Sequence, residues 1–276
     1  MSKLKKAMEK AKEARAHDDL PPLQETEITE PAAEEPETLW RPPEPVCEEI
    51  NPAYCRTRIM KVEERILRKN KIVSLFHDEA MTDQIKILHT QVLNQMEQIG
   101  GNSLLVTSAN HGEGKTLTAL NLAVSMSHKL DQTVLLVDAD LRRPSVHRFL
   151  GLEPERGLTD YLLRRAEIPD LLINPGIEKM VFLPAGEQLA NSGELLGSPR
   201  MEALIKEMRE RYPDRFVIFD SPPLLACADP LVLSRFVDGI LLVAEAEKTP
   251  AKDVERAAEL LKDRPLIGTV LNKARG

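Results

Sequence analysis

The sequence predicts an α/β fold, a doubly wound and mostly parallel sheet flanked by helices, on three observations. Apolar runs rich in Val, Ile and Leu recur at 103–108, 133–137, 180–183, 216–219, 240–243 and 266–271. Segments with helical spacing separate them, at 117–128, 158–164, 193–211, 225–236 and 251–261. The runs are continuously apolar rather than alternating, as strands are when both faces of a sheet are covered.

Taken in order, residues 3–15 (KLKKAMEKAKEAR) set Leu4, Ala7, Met8, Ala11 and Ala14 on one helical face among lysines. Two readings stand: a helix that docks on a partner or an anionic membrane surface, or a solvated helix of small residues. The mostly alanine face favours the second. From 17 to 51 prolines alternate with glutamates, too little can be buried to offset chain entropy, and a disordered, extended linker is expected. The expected organisation is therefore a short helix at 1–16, an acidic linker at 17–51 and one folded unit at 52–276. Charge follows the same division: of the net −7, residues 1–16 carry +4, 17–50 carry −10 and the remainder −1. The acidity thus belongs to the linker, and no nucleic-acid partner is expected. Cys47, Cys55 and Cys227 form no paired or metal-binding spacing, which suits a reducing cytoplasm. No apolar run reaches bilayer-spanning length and the N-terminus lacks a secretion signal's apolar centre, so a cytoplasmic chain is expected, at most tethered to a membrane.

Order resumes with a short alternating strand at 56–62, a helical stretch to Ile72 and a helix from Asp78 to Ile99 with apolar Met81, Ile85, Leu88, Val92 and Met96. The stretch 103–123 (SLLVTSANHGEGKTLTALNLA) then joins an apolar strand, a glycine turn and a helix. Crowded phosphate oxygens need converging backbone N–H groups and the positive end of a helix. Residues Asn110, His111, Gly112, Glu113, Gly114, Lys115, Thr116 and Leu117 supply that loop, with Gly112 and Gly114 allowing close approach. Lys115 would reach the β- and γ-phosphates of ATP, and the Thr116 hydroxyl would ligate Mg²⁺. The strict G-x-x-x-x-G-K-[ST] pattern is missed at Ala109, but the flanking strand and helix are the context it requires. The fold is accordingly read as that of a P-loop NTPase.

Two more strands end in carboxylates, TVLLV in Asp138-Ala139-Asp140-Leu141-Arg142 and FVIF in Asp220-Ser221-Pro222-Pro223. A carboxylate ending a buried strand is expensive unless a cation meets it, and Mg²⁺ supplies one. Asp220 fits the second metal acid, acting through water. Asp138 and Asp140 exceed what a minimal ATPase needs, so one could hold metal while the other accepts a hydroxyl proton. Arg142 or Arg143 could neutralise phosphate charge. Alternatively an aspartate caps the next helix and the arginines are surface residues. Asn272, ending the last strand, could contact an adenine edge or merely close the strand.

The order Ala109 to Thr116, then Asp138-x-Asp140-x-Arg142, then Asp220-Ser-Pro-Pro resembles the bacterial tyrosine kinases of exopolysaccharide loci, most nearly the soluble autokinases beside exosortase or capsule export genes. The likeness covers about 78–276 and extends to GLTDYLL at 157–163 and GELLGSPRM at 193–201. It implies a P-loop fold that phosphorylates tyrosine with ATP and Mg²⁺. It further implies that Lys115 and Thr116 grip phosphate and metal, that Asp138, Asp140 and Asp220 share metal and base duties, and that Arg142 supports them. A membrane-spanning polysaccharide chain-length protein as activating partner, and a homo-oligomer, are implied as well. Two departures accompany this. The family's tyrosine-rich tail is absent up to Gly276, leaving Tyr54, Tyr161 and Tyr212, of which Tyr54 is expected to be most accessible and Tyr161 to be packing. The family's oligomer helix pattern, an acid and two arginines at three-residue steps, is here Asp83, Lys86 and His89, which lack the planar fork for a bidentate carboxylate, so ring formation is expected to be weaker. Two other functions compete with a kinase: an ATP-driven switch or scaffold of an export complex, and a partition-type positioning ATPase, against which Asn110 stands where a lysine is expected.

Overall fold

A computed structural model describes residues 57–76, 80–129, 132–211 and 214–274. The expected N-terminal helix, the linker, Tyr54, Tyr212, Cys47 and Cys55 lie outside the described residues. Elements run in the order β1 (Arg58–Ile59), α1 (Glu64–Lys69), α2 (Ala80–Ile99), β2 (Ser103–Ser108), α3 (Lys115–Ser127), β3 (Thr133–Asp138), α4 (Val146–Leu150), α5 (Leu158–Leu162), α6 (Ile168–Leu171), β4 (Ile173–Asn174) and β5 (Met180–Leu183). They continue with α7 (Ser192–Leu196), α8 (Pro199–Glu210), β6 (Arg215–Asp220), α9 (Asp229–Leu233), β7 (Gly239–Glu245), α10 (Ala251–Leu260) and β8 (Leu266–Asn272).

Among the described residues these strands form one eight-stranded sheet in the order β1-β4-β5-β3-β6-β2-β7-β8. All neighbours are parallel except β4 with β5. The apolar runs are explained by their two buried faces. Leu104, Val106, Leu136 and Ile218 join α2 and α3 in one core, while Leu105, Leu135, Val137 and Phe219 join α8 and α10 in the other. Successive side chains point to opposite faces, so both parities of each strand must be apolar.

The chain leaves β2 and enters β3 two places away, with β6 inserted between them. Register then aligns Val106 with Asp220 and Asp220 with Asp138. Three strands that are far apart in sequence therefore end side by side, where ligands of doubly wound sheets bind.

Some boundaries differ from expectation. The single helix expected at 193–211 is two, because Ser198 caps a new start by accepting from the Met201 N–H and Pro199 opens α8. The helix expected at 225–236 shrinks to Asp229–Leu233, since the N–H groups of Leu224 and Leu225 are taken by the carbonyls of Ser108 and Ala109. The expected strand at 56–62 is paired only at Arg58–Ile59, against β4. Helices α4 and α6 and strand β4 were not expected.

Candidate nucleotide site

The phosphate loop is shaped by two glycines. Gly112 has φ +83° and Gly114 φ +95°, left-handed values that side chains resist. A Cβ on Gly114 would also lie 2.0 Å from Asn272 Nδ2. Ala109 needs no such freedom: it is fully buried in the second core, so the motif tolerates alanine at its first position. No side chain caps α3, whose N-terminal amides are left for a ligand.

Lys115, opening α3, bonds Asp140 Oδ2 at 3.0 Å and Asp220 Oδ1 at 3.3 Å. The Thr116 hydroxyl donates to Asp220 Oδ2 at 2.7 Å and lies 3.2 Å from the Ser145 hydroxyl. Asp138 is held by the chain itself: Oδ2 accepts the N–H groups of Ser145 and Val146, and Oδ1 that of Asp140. The structure thus brings Lys115, Thr116, Asp138, Asp140 and Asp220 together.

Three carboxylates, at most 3% exposed, lie here together, two of them bonded to one ammonium and Asp138 to backbone N–H groups. Burial, and then Asp220, push Asp138 up to about 8, more than the Lys115 charge and the Val146 N–H lower it. Asp220 is also raised by burial, partly offset by Lys115 and Thr116. Burial alone would lower Lys115, but Asp220 and Asp140 reverse the direction and raise it. Such a surplus of buried negative charge fits a divalent cation. Among the described residues no group of three His, Cys, Asp or Glu side chains closes on one ion unaided. Mg²⁺ in nucleotide sites takes one or two carboxylates and keeps waters and phosphate oxygens for its other positions.

The remaining expected residues are placed as follows. His111 is exposed and Leu117 packs its side chain on the first core, leaving only backbone for a ligand. Asn272 Nδ2 donates to the Glu113 carbonyl and its Oδ1 accepts the Lys273 N–H, so the strand end is fastened to the phosphate loop. Arg142 turns away from the carboxylates to Asp229, and the Arg143 side chain is exposed. Asp138 does reach the start of α4, as the capping alternative required, and does so from inside the carboxylate group.

Sequence reasoning missed the loop's outer support. Glu113, 4% exposed, accepts the Asn110 N–H at 2.8 Å and the Thr249 hydroxyl at 2.6 Å, while Asn110 Nδ2 donates to Asp253 at 3.0 Å. Lys273 Nζ reaches the Gly112 carbonyl and Glu245, whose carboxyl it holds below the ordinary range through that hydrogen bond. A glutamate inside an anion-binding loop was the available signal, since it requires donors of its own. On α2, Lys86 is paired with Asp83, and His89 bonds Ser125 on α3.

The AAA domain family model matches residues 103–262. The chain is 34% identical over 222 residues to tyrosine-protein kinase YwqD of Bacillus subtilis (strain 168), covering 80% of this chain and 90% of that protein. It is 31% identical over 196 residues to tyrosine-protein kinase etk of Escherichia coli (strain K12), covering 70% of this chain but 27% of that protein. Among solved structures, the kinase domain of Escherichia coli tyrosine kinase ETK superposes with a TM-score of 0.70 at 28% identity, over 79% of this chain and 89% of that domain.

Proposed function

The chain belongs to the bacterial tyrosine-protein kinases, and from that premise we propose how its buried charges divide the work of moving a phosphoryl group from ATP to a tyrosine hydroxyl. The observation that carries the assignment is Lys115 lying between Asp140 and Asp220 at the start of α3, where a left-handed glycine leaves the helix without a side-chain cap.

Lys115 exchanges its two carboxylates for the β- and γ-phosphates, a trade of like charges that needs little movement. The amides of the loop around Gly112 and Gly114, with the first turn of α3, take the remaining phosphate oxygens. Thr116, Asp220 and one of the paired aspartates would hold Mg²⁺, which would neutralise charge on the transferring phosphates. The other aspartate receives the tyrosine proton. Burial holds the Asp138 carboxyl above the ordinary range, and beside Mg²⁺ it would ionise and so be able to accept that proton. Arg142 supports the acceptor side.

The wider setting follows the same resemblance. The chain acts in exopolysaccharide assembly, chain length or export, through the cytoplasmic segment of a membrane-spanning partner. Among the described residues no helix is long and apolar enough to cross a membrane, and attachment to the inner face of the membrane would come from that partner. The proposed acidic linker gives reach. A switch without chemistry and a positioning ATPase are not favoured, because the named relatives are kinases. Tyr161 is half-buried beneath the Arg200 guanidinium, 4.0 Å from the ring, which suits packing better than acceptance.

Labelled ATP and Mg²⁺, supplied with and without the partner's cytoplasmic segment, test the assignment. Phosphotyrosine on Tyr54 or on the partner is expected. ATP turnover without label in either condition would favour the switch.

A further inference from the structure

Arg142 is the one member of the Asp138-x-Asp140-x-Arg142 motif that leaves the carboxylate group. Its Nε and Nη2 donate to Asp229 at 2.9 and 3.3 Å. Asp229, 1% exposed at the start of α9, also accepts the Ser192 hydroxyl from the start of α7. Gly193 follows, and a Cβ there would stand 3.1 Å from Asp229 Oδ1. The segment 186–198 is hooked to the motif a second time, by the Leu189 N–H donating to the Leu141 carbonyl at 2.9 Å. The same turn is tied to the site itself, since the Arg143 N–H donates to Asp140 Oδ1.

A carboxylate this buried needs a paired cation, and Arg142 supplies it while remaining 39% exposed at its side chain. The paired edge uses Nε and Nη2, so the two Nη1 hydrogens lie outside the bond. A guanidinium held by one edge presents the other in a fixed direction, which a free surface arginine does not do.

We propose that Asp229 is a positioning residue for phosphotransfer: it fixes Arg142, two residues on from Asp140 in the same turn, so that the arginine's outward edge binds an acidic tyrosine-bearing acceptor segment. This rests on the kinase assignment above. Asp229 itself touches neither nucleotide nor acceptor. Its effect passes through Arg142, and Ser192 completes the carboxylate's donor set.

A double-mutant cycle on the full chain tests it, with a glutamate–tyrosine copolymer as acceptor and with both phosphotyrosine and ADP release measured. Arg142→Ala is expected to lower kcat/KM for the copolymer by about thirtyfold, with KM for ATP within about threefold of wild type. Asp229→Ala is expected to match it, and the double variant to lose no more than about threefold beyond either. Losses that multiply in the double variant would overturn the proposal, as would full activity in Arg142→Ala or an equal rise in KM for ATP. Should Asp229→Ala not fold, Asp229→Asn keeps the shape without the charge and carries the same cycle. A wild type that releases ADP but labels no tyrosine would count against the kinase assignment alone; the cycle is then decided on copolymer-stimulated ADP release.

Discussion

On the α10 side of the phosphate loop, Glu113 has a donor for each oxygen, and Asn110, Asn272 and Lys273 fasten neighbouring backbone or carboxylates. On the β3 side, Asp138, Asp140 and Asp220 are buried around a single lysine. Both flanks give each carboxylate oxygen a donor, but the β3 flank is crowded, with three acids packed together. A complete polar network makes a buried segment rigid, whereas acids crowded together in a buried site store unfavourable energy that a cation can release. The loop is therefore shaped from the α10 flank, and the crowded flank holds the charge proposed to answer phosphate and metal.

The largest expected effect comes from removing Lys115, the cation bonded within the crowded flank. Lys115→Met should lower kinase turnover by about a thousandfold or more. It should also destabilise the nucleotide-free protein by up to about 3–5 kcal/mol, read by denaturant unfolding, because buried Asp140 and Asp220 lose the ammonium bonded to them. Unchanged activity would remove Lys115 from the site. Glu113→Ala attacks the opposite flank and strands the Asn110 N–H. Affinity for Mg·ADP should fall about tenfold, measured by calorimetry, with kcat within about threefold. Thr249→Val, which deprives Glu113 of one donor, should cost about threefold in the same assay. Equal affinity in both variants would mean that the loop does not depend on this flank.

A smaller effect is the pH dependence of stability. Asp138 in the folded chain sits near 8, above its ordinary 3.8, and Asp220 shifts in the same direction. The folded state thus binds protons more tightly than the unfolded chain, and the stability this contributes is lost as pH rises towards and through 8. His89 and His147 are lowered by burial and so weaken the fold only on the acid side. Between pH 6.5 and 8.5 the melting temperature of the free protein should fall by a few degrees, and saturating Mg·ADP should flatten the slope. A slope that is the same with and without the nucleotide would contradict the assignment of this charge to the ligand site.

Much of this was legible beforehand because it is written locally. A strand, two glycines and Lys115-Thr116 specify the loop, and an aspartate ending an apolar run needs a cation whatever the topology. Asp138 and Asp220 could therefore be grouped with Lys115 before their register was known. The Asp229 partner of Arg142 and the Thr249 partner of Glu113 were not legible, since each bond spans a long sequence separation, 87 residues for the first and 136 for the second. Helices α4 and α6, at five and four residues, are too short for periodicity to register. The break before α8 was legible in Ser198-Pro199 but was outweighed by the helical spacing on either side.

Proton release on binding Mg·ADP at pH 7, obtained by calorimetry in buffers of different ionisation enthalpy, tests the crowded flank most directly. Wild type should release about one proton as a carboxyl raised to about 8 is made to ionise beside the metal, and Asp138→Asn should release clearly less, Asp220 remaining as the second raised carboxyl. Binding by the wild type without proton release, or an equal release from Asp138→Asn, would contradict the account.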